Sequence, residues 1–103
     1  MTLKARIAKV TVEHILAVID EIQSGRIPVP RRREATKWCL LVSGWSYPSK
    51  YVFGRAIEIA TPGETPITPR HFSGGEFTKN GLSRILKNDS RFRIVYCARR
   101  ATP

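Results

Sequence analysis

Acidic residues are scarce in this sequence. Eight Asp and Glu stand against eighteen Lys and Arg in 103 residues, a formal net charge of +10. Cysteine is scarcer still, with Cys39 and Cys97 alone, and histidine is limited to His14 and His71. A zinc site needs four ligands, or three with an open position, usually arranged in close pairs, and nothing here has that spacing. The expectation is therefore no metal and no other cofactor. Long apolar runs are also missing, the longest falling far short of the roughly 20 residues of a membrane span. Met1 to Val10 alternates polar and apolar residues and lacks the apolar stretch of a signal peptide. The two cysteines could close one bridge, but without a secretion signal reduced thiols are expected. The compartment expected is the cytoplasm, with no membrane partner.

Catalytic signatures are absent as well. The chain has no G-x-S-x-G elbow, no H-E-x-x-H and no Walker loop. Glu58, Glu64, Glu76 and Asp89 are scattered and read as solvated carboxylates. No catalytic residue is nominated, and the chain reads as a non-enzyme.

What is present is a foldable core and an excess of arginine. The hydrophobic fraction of 42% suits one globular domain spanning residues 1–103, with its core at about 10–97 and a loose tail at 98–103. Twelve of the eighteen cations are Arg, the residue suited to bidentate contacts with phosphate and guanine. A sequence pI near 10.5 is the electrostatic footprint of a nucleic-acid binder. The same charge would also serve an acidic protein partner.

Periodicity predicts the elements. Thr11 is an N-cap ahead of Val12, Ile15, Leu16, Ile19 and Ile22, whose spacing makes one helical face ending at Ser24-Gly25. Residues 27–36 form a connector, with Pro28 and Pro30 ahead of Arg31-Arg32-Arg33. Trp38 to Val42, the turn Ser43-Gly44 and Trp45-Ser46-Tyr47 make a hairpin. A second helix runs from Pro48 to about Ala60, facing Val52, Ala56, Ile57 and Ala60 inward. After a proline-rich loop, a third helix follows Ser73-Gly74-Gly75, using Phe77, Leu82, Ile85 and Leu86. Arg91 to Cys97 alternates like a strand and would complete the sheet. The fold class is α+β: three helices packed on a small antiparallel sheet, in the order helix-strand-strand-helix-helix-strand.

Three segments are candidates for contact with nucleic acid. Gly74 and Gly75 open a helix, where uncovered backbone N–H groups favour an anion, and Arg70, His71 and Ser73 lie just upstream. The same glycines read equally well as a tight turn with Ser73 as N-cap. Tyr47 and Lys50 pair an aromatic ring with a cation at a strand-to-helix junction, as base stacking over a held phosphate would require. Trp45 nearby reads as a residue packed against the helices. Arg84, Lys87, Arg91, Arg93, Arg99 and Arg100 join the end of the third helix to the last strand and tail, and Lys79 is a further candidate on that helix. A helix C-terminus accounts for cations there, but not for Arg91 and Arg93 on a strand.

Tyr47-Pro48-Ser49-Lys50-Tyr51-Val52, followed by Phe72-Ser73-Gly74-Gly75-Glu76, carries a family resemblance. From about Val10 to Val95 the chain resembles the N-terminal head domain of McrA-type, modification-dependent HNH restriction endonucleases. It departs at Tyr51, where many relatives have Ala, and at Asn88-Asp89-Ser90-Arg91-Phe92, where they have Leu-Gly-Phe. The nuclease domain has no counterpart in these residues. The resemblance implies a reader or accessory module for modified or foreign DNA, with double-stranded DNA and a separate or fused nuclease as partners. The alternative is a protein-interaction domain that docks onto a nuclease or another acidic partner.

Overall fold

The computed structural model describes residues 1–25, 38–67, 76–87 and 89–96. Seven elements follow in chain order: α1 (Leu3–Ile7), α2 (Val12–Gln23), β1 (Trp38–Val42), β2 (Trp45–Pro48), α3 (Ser49–Ala60), α4 (Glu76–Leu86) and β3 (Phe92–Tyr96). The α+β class and the order from α2 onward match the expectation. The connector at 27–36 and the tail at 98–103 lie outside the described residues.

Helix α1 is the addition. Five residues are too few for apolar periodicity to declare themselves, so the polar–apolar alternation there gave no sign of a helix. It is anchored at both ends of its logic. The Thr2 hydroxyl accepts the Ala5 N–H at 3.1 Å, capping its start. Arg6, 4% exposed, then donates from Nε to the Thr61 hydroxyl at 2.9 Å. Thr61 is the C-cap of α3 and donates in turn to the Ile57 carbonyl at 2.8 Å. The guanidinium thus rests at the negative end of the α3 dipole.

Helix α2 begins at Thr11, whose backbone is extended. The Thr11 N–H donates to Nδ1 of His14 at 3.0 Å, so the imidazole fills the place a Glu or Gln takes in a capping box. His14 is a helix-starting residue here. Ile15, Val18 and Ile19 are buried, with Val12, Leu16 and Ile22 packed at their margin.

Ser43 and Gly44 both take positive φ, 51° and 84°, as a two-residue hairpin turn with the right twist demands. The sheet order is β2-β1-β3, antiparallel throughout. Its register pairs Leu40 with Tyr47 and Ile94, and Val42 with Trp45 and Phe92. Leu40, Val42, Tyr47 and Phe92 are buried on that face, whereas Cys39, Leu41, Ser46, Arg93 and Val95 on the other are half-buried or exposed. Cys39 is disulfide-bonded, which corrects the expectation of reduced thiols. Cys39 faces Val95 across the sheet, and the chain's other cysteine, Cys97, lies outside the described residues.

Helix α3 is central, in contact with α1, α2, α4, β1 and β2. Val52, Phe53, Ala56 and Ile57 have no exposed surface. A bidentate ion pair fixes α2 to it: Arg55 donates to both Glu21 carboxylate oxygens at 2.9 and 2.8 Å, and to Glu58 at 3.1 Å. Glu58 also accepts the Ile67 N–H at 2.8 Å, tying down the following loop. Glu58 is therefore a structural carboxylate, not the solvated one expected. Phe77 likewise differs from expectation. It is 44% exposed, lying 6.4 Å from Phe53 at the rim, while Thr78 and Gly81 are buried in its place.

Gly81 sets the spacing of α3 and α4. A Cβ built there would stand 2.6 Å from Cζ of Phe53, a ring with no exposed surface and no room to retreat. Gly81→Ala is expected to destabilise by about 1–3 kcal/mol, outweighing the roughly 1 kcal/mol that Ala offers as the better helix former. Urea unfolding checks this, and adding Phe53→Leu should return part of the loss, because the two changes act on one contact.

Candidate nucleic-acid interface

Of the residues nominated from sequence, Arg70, His71, Ser73, Gly74 and Gly75 lie outside the described residues. The others divide into those spent inside the fold and those left at its surface.

Tyr47 is spent inside. It is 6% exposed, and its hydroxyl accepts a hydrogen bond from Nε2 of Gln23 at 2.8 Å. The ring is part of the core and offers no platform for a base. Trp45 shows the opposite, at 65% exposure. Both residues share one face of β2, but Tyr47 pairs with Leu40 at mid-sheet and Trp45 sits beside the turn, where the strand outruns its cover. Alternation told that they share a face, and not which of them is covered.

Lys50 is half-buried in the first turn of α3. Lys79 is also half-buried, its Nζ 4.8 Å from the centroid of the Trp38 ring. Trp38 meets Tyr96 edge-on at 5.5 Å. The Lys79 ammonium is thus engaged by an indole face, an attraction of about 0.5–2 kcal/mol that docks α4 on the sheet.

Arg84, Lys87, Arg91 and Arg93 are the exposed group, around the turn from α4 to β3. Among the described residues, Arg84, Lys87 and Arg93 form no ion pair. Their arrangement is not one flat face. Arg93 opposes Leu41 on the side of the sheet away from the buried face, while Arg84 and Lys87 belong to the helix end that packs against β3. The cations bracket the β3 edge.

Arg91 stands at the turn between them and differs in kind. Its Nε and Nη2 donate to the two Asp89 carboxylate oxygens at 2.9 and 2.6 Å, and its backbone N–H donates to the same carboxylate at 3.0 Å. Asp89, expected to be solvated, is a turn-forming carboxylate. These bonds from Arg91 hold its carboxyl down at about 2. The signal was present in sequence, since an Asp two residues before its partner is the spacing of an Asx turn.

Three other carboxylates are paired, whereas Glu13 and Glu76 are exposed and form no ion pair among the described residues. Glu21 and Glu58 hold Arg55 more firmly charged, and Glu64 meets the N-terminal amine at 3.5 Å. Among the described residues, no group of three or more His, Cys, Asp and Glu is placed to hold a metal.

The family model described as "ScoMcrA-like, N-terminal head domain" matches residues 8–88. The chain belongs to that family. No curated protein and no solved structure gives a match. The head-domain match runs from just after α1 to just after α4, so Arg84 and Lys87 lie within it and Arg91 and Arg93 beyond. Membership places this head domain among restriction-related domains, and the matched model is the head rather than the nuclease. Among the described residues no helix is long and apolar enough to cross a membrane.

The Asp89–Arg91 pair gives a pH test. A carboxyl lowered on folding adds stability that is complete above its ordinary value of 3.8 and lost as pH falls through about 2. An NMR titration should find the Asp89 midpoint near 2 in the parent, and Arg91→Ala should move it back toward 3.8.

Proposed function

We propose that this head domain is a DNA-binding module serving restriction or defence, with the β3 edge and the α4–β3 turn as its contact surface. The observation that carries the reading is the trio Arg84, Lys87 and Arg93, exposed and without ion pairs among the described residues, in a chain of net charge +10. Unpaired cations from both sides of the β3 strand suit duplex DNA, whose grooves are walled by two phosphate backbones. Arg70 and the glycine turn, and Lys50 and Lys79, remain auxiliary positions in this reading, and Tyr47 leaves it. Modified or foreign DNA is the substrate class that fits a restriction-related head domain. The nuclease acting on it is a partner or a fused domain, and the head domain itself does no chemistry. It works in the compartment where that DNA is met, the cytoplasm.

A protein-docking role has one observation in its favour, the exposed indole of Trp45. Aromatic anchors are common at protein interfaces. Trp45 pairs with Val42 beside the hairpin turn, while Tyr96, also highly exposed, pairs with Trp38 at the opposite end of β1. They do not form one apolar patch, and the charge distribution favours nucleic acid.

Duplex binding should weaken steeply with salt, with log K falling by about 0.9 per decade of salt for each phosphate neutralised. With the trio engaged, the slope should be about −3 or steeper. Arg84→Ala, Lys87→Ala and Arg93→Ala should each make it shallower by about one unit and weaken all sequences alike. An absence of duplex binding at low salt, read by fluorescence anisotropy, overturns the proposal.

Incubation with magnesium, manganese or zinc should leave DNA intact. Metal-dependent cleavage that follows the protein through purification and disappears in a point variant would assign it catalysis instead.

A further inference from the structure

We infer that Arg91, held by Asp89, is a base-reading residue directed at guanine, while Arg84, Lys87 and Arg93 contact phosphate. The inference rests on the DNA-binding reading and concerns what the α4–β3 turn recognises.

Three features separate Arg91 from its neighbours. First, its side chain is 59% exposed and yet fixed, whereas that of Asp89 is only 18% exposed. One carboxylate takes the backbone N–H, Nε and Nη2 of Arg91, and the guanidinium carbon lies 5.7 Å from the centroid of the Phe92 ring. An exposed ion pair repays little of the entropy lost in holding a long side chain still, so stability gives weak reason for this arrangement.

Second, the pair is neutral as a unit. A phosphate contact needs net positive charge and gains its affinity from counterion release. Placing a carboxylate against the cation forfeits that gain. Glu13 adds further negative charge near the same guanidinium.

Third, the bonds to Asp89 occupy the Nε side of the guanidinium and leave Nη1 without a partner among the described residues. The unused end presents two N–H donors in a fixed plane. That matches the O6 and N7 acceptors of guanine in the major groove, the commonest specific contact arginine makes. Preorganisation lowers the entropic cost of meeting them. The surrounding cations bracket the turn, as residues contacting phosphates on either side of a base-reading tip would.

The test compares parent, Arg91→Ala, Arg91→Lys, Asp89→Asn and Lys87→Ala for binding to a randomised duplex pool and to single duplexes across a salt series. Thermal melting confirms that each is folded. The parent should select a guanine at one position. Arg91→Ala should lose that selection by roughly tenfold or more, with the bared Asp89 carboxylate weakening all duplexes modestly besides. Arg91→Lys, which keeps the charge but not the fork, should lose it too. Asp89→Asn should lose discrimination while binding all duplexes more tightly, its salt slope steepening by about one unit as a cation is freed. Lys87→Ala should do the reverse, keeping selection on a shallower slope. Three results overturn the inference while leaving DNA binding in place: no guanine preference in the parent, guanine selection retained in Arg91→Ala, or selection retained in Arg91→Lys. Failure of the parent to bind any duplex at low salt overturns the DNA-binding reading itself, and this inference with it.

Discussion

The contact between the Phe53 ring and the bare backbone of Gly81 sets how closely α4 approaches α3. Much else depends on that distance. Leu82 and Leu86 reach the core only because the helix comes so near, and Lys79 meets the Trp38 ring from the same helix. Where α4 ends then decides where the chain turns toward β3. The candidate surface is thus positioned by a missing methyl group in the core rather than by anything the surface residues do for one another.

Charge is partitioned with comparable economy. The few carboxylates do not sit at random among the cations. Glu21 and Glu58 neutralise Arg55 between α2, α3 and the following loop, and Glu64 meets the N-terminus. Arg6 is satisfied in part by a helix end instead of an acid. These uses draw negative charge toward the helices and loops. The end of α4 and the strand beyond it keep their positive charge, apart from the one pair at Asp89 and Arg91. A net charge of +10 says nothing of place; among the described residues the unpaired exposed cations stand at the α4–β3 turn and also at Lys4 and Lys9 beside α1.

The elements were legible wherever period and punctuation agreed. Thr11 and Ser24-Gly25 frame an apolar stripe, and Ser43-Gly44 separates two apolar runs at hairpin spacing, so α2 and the hairpin follow from sequence. Helix α1 did not, because five residues held by Thr2 and by a contact 55 residues away carry no period of their own. The site was legible as composition and much less as geometry. Burial of Tyr47 and exposure of Trp45 depend on where the helices stop over the sheet, which alternation cannot show. The role of Asp89 required seeing that its carboxylate turns back onto Arg91, a local event that a count of scattered acids hides.

The position of β3 at the sheet edge has one more consequence. Among the described residues no further strand pairs with β3, and an edge strand offers backbone donors and acceptors to any other extended chain, here beside half-buried Ile94 and Val95. Such a strand invites pairing with a second molecule and, from there, aggregation. Arg93 within the strand sets a positive side chain beside that edge, and two copies meeting edge to edge would bring like charges together. That repulsion opposes edge-to-edge pairing. A variant that trades Arg93 for an apolar residue would lose that repulsion and leave the edge open to pairing.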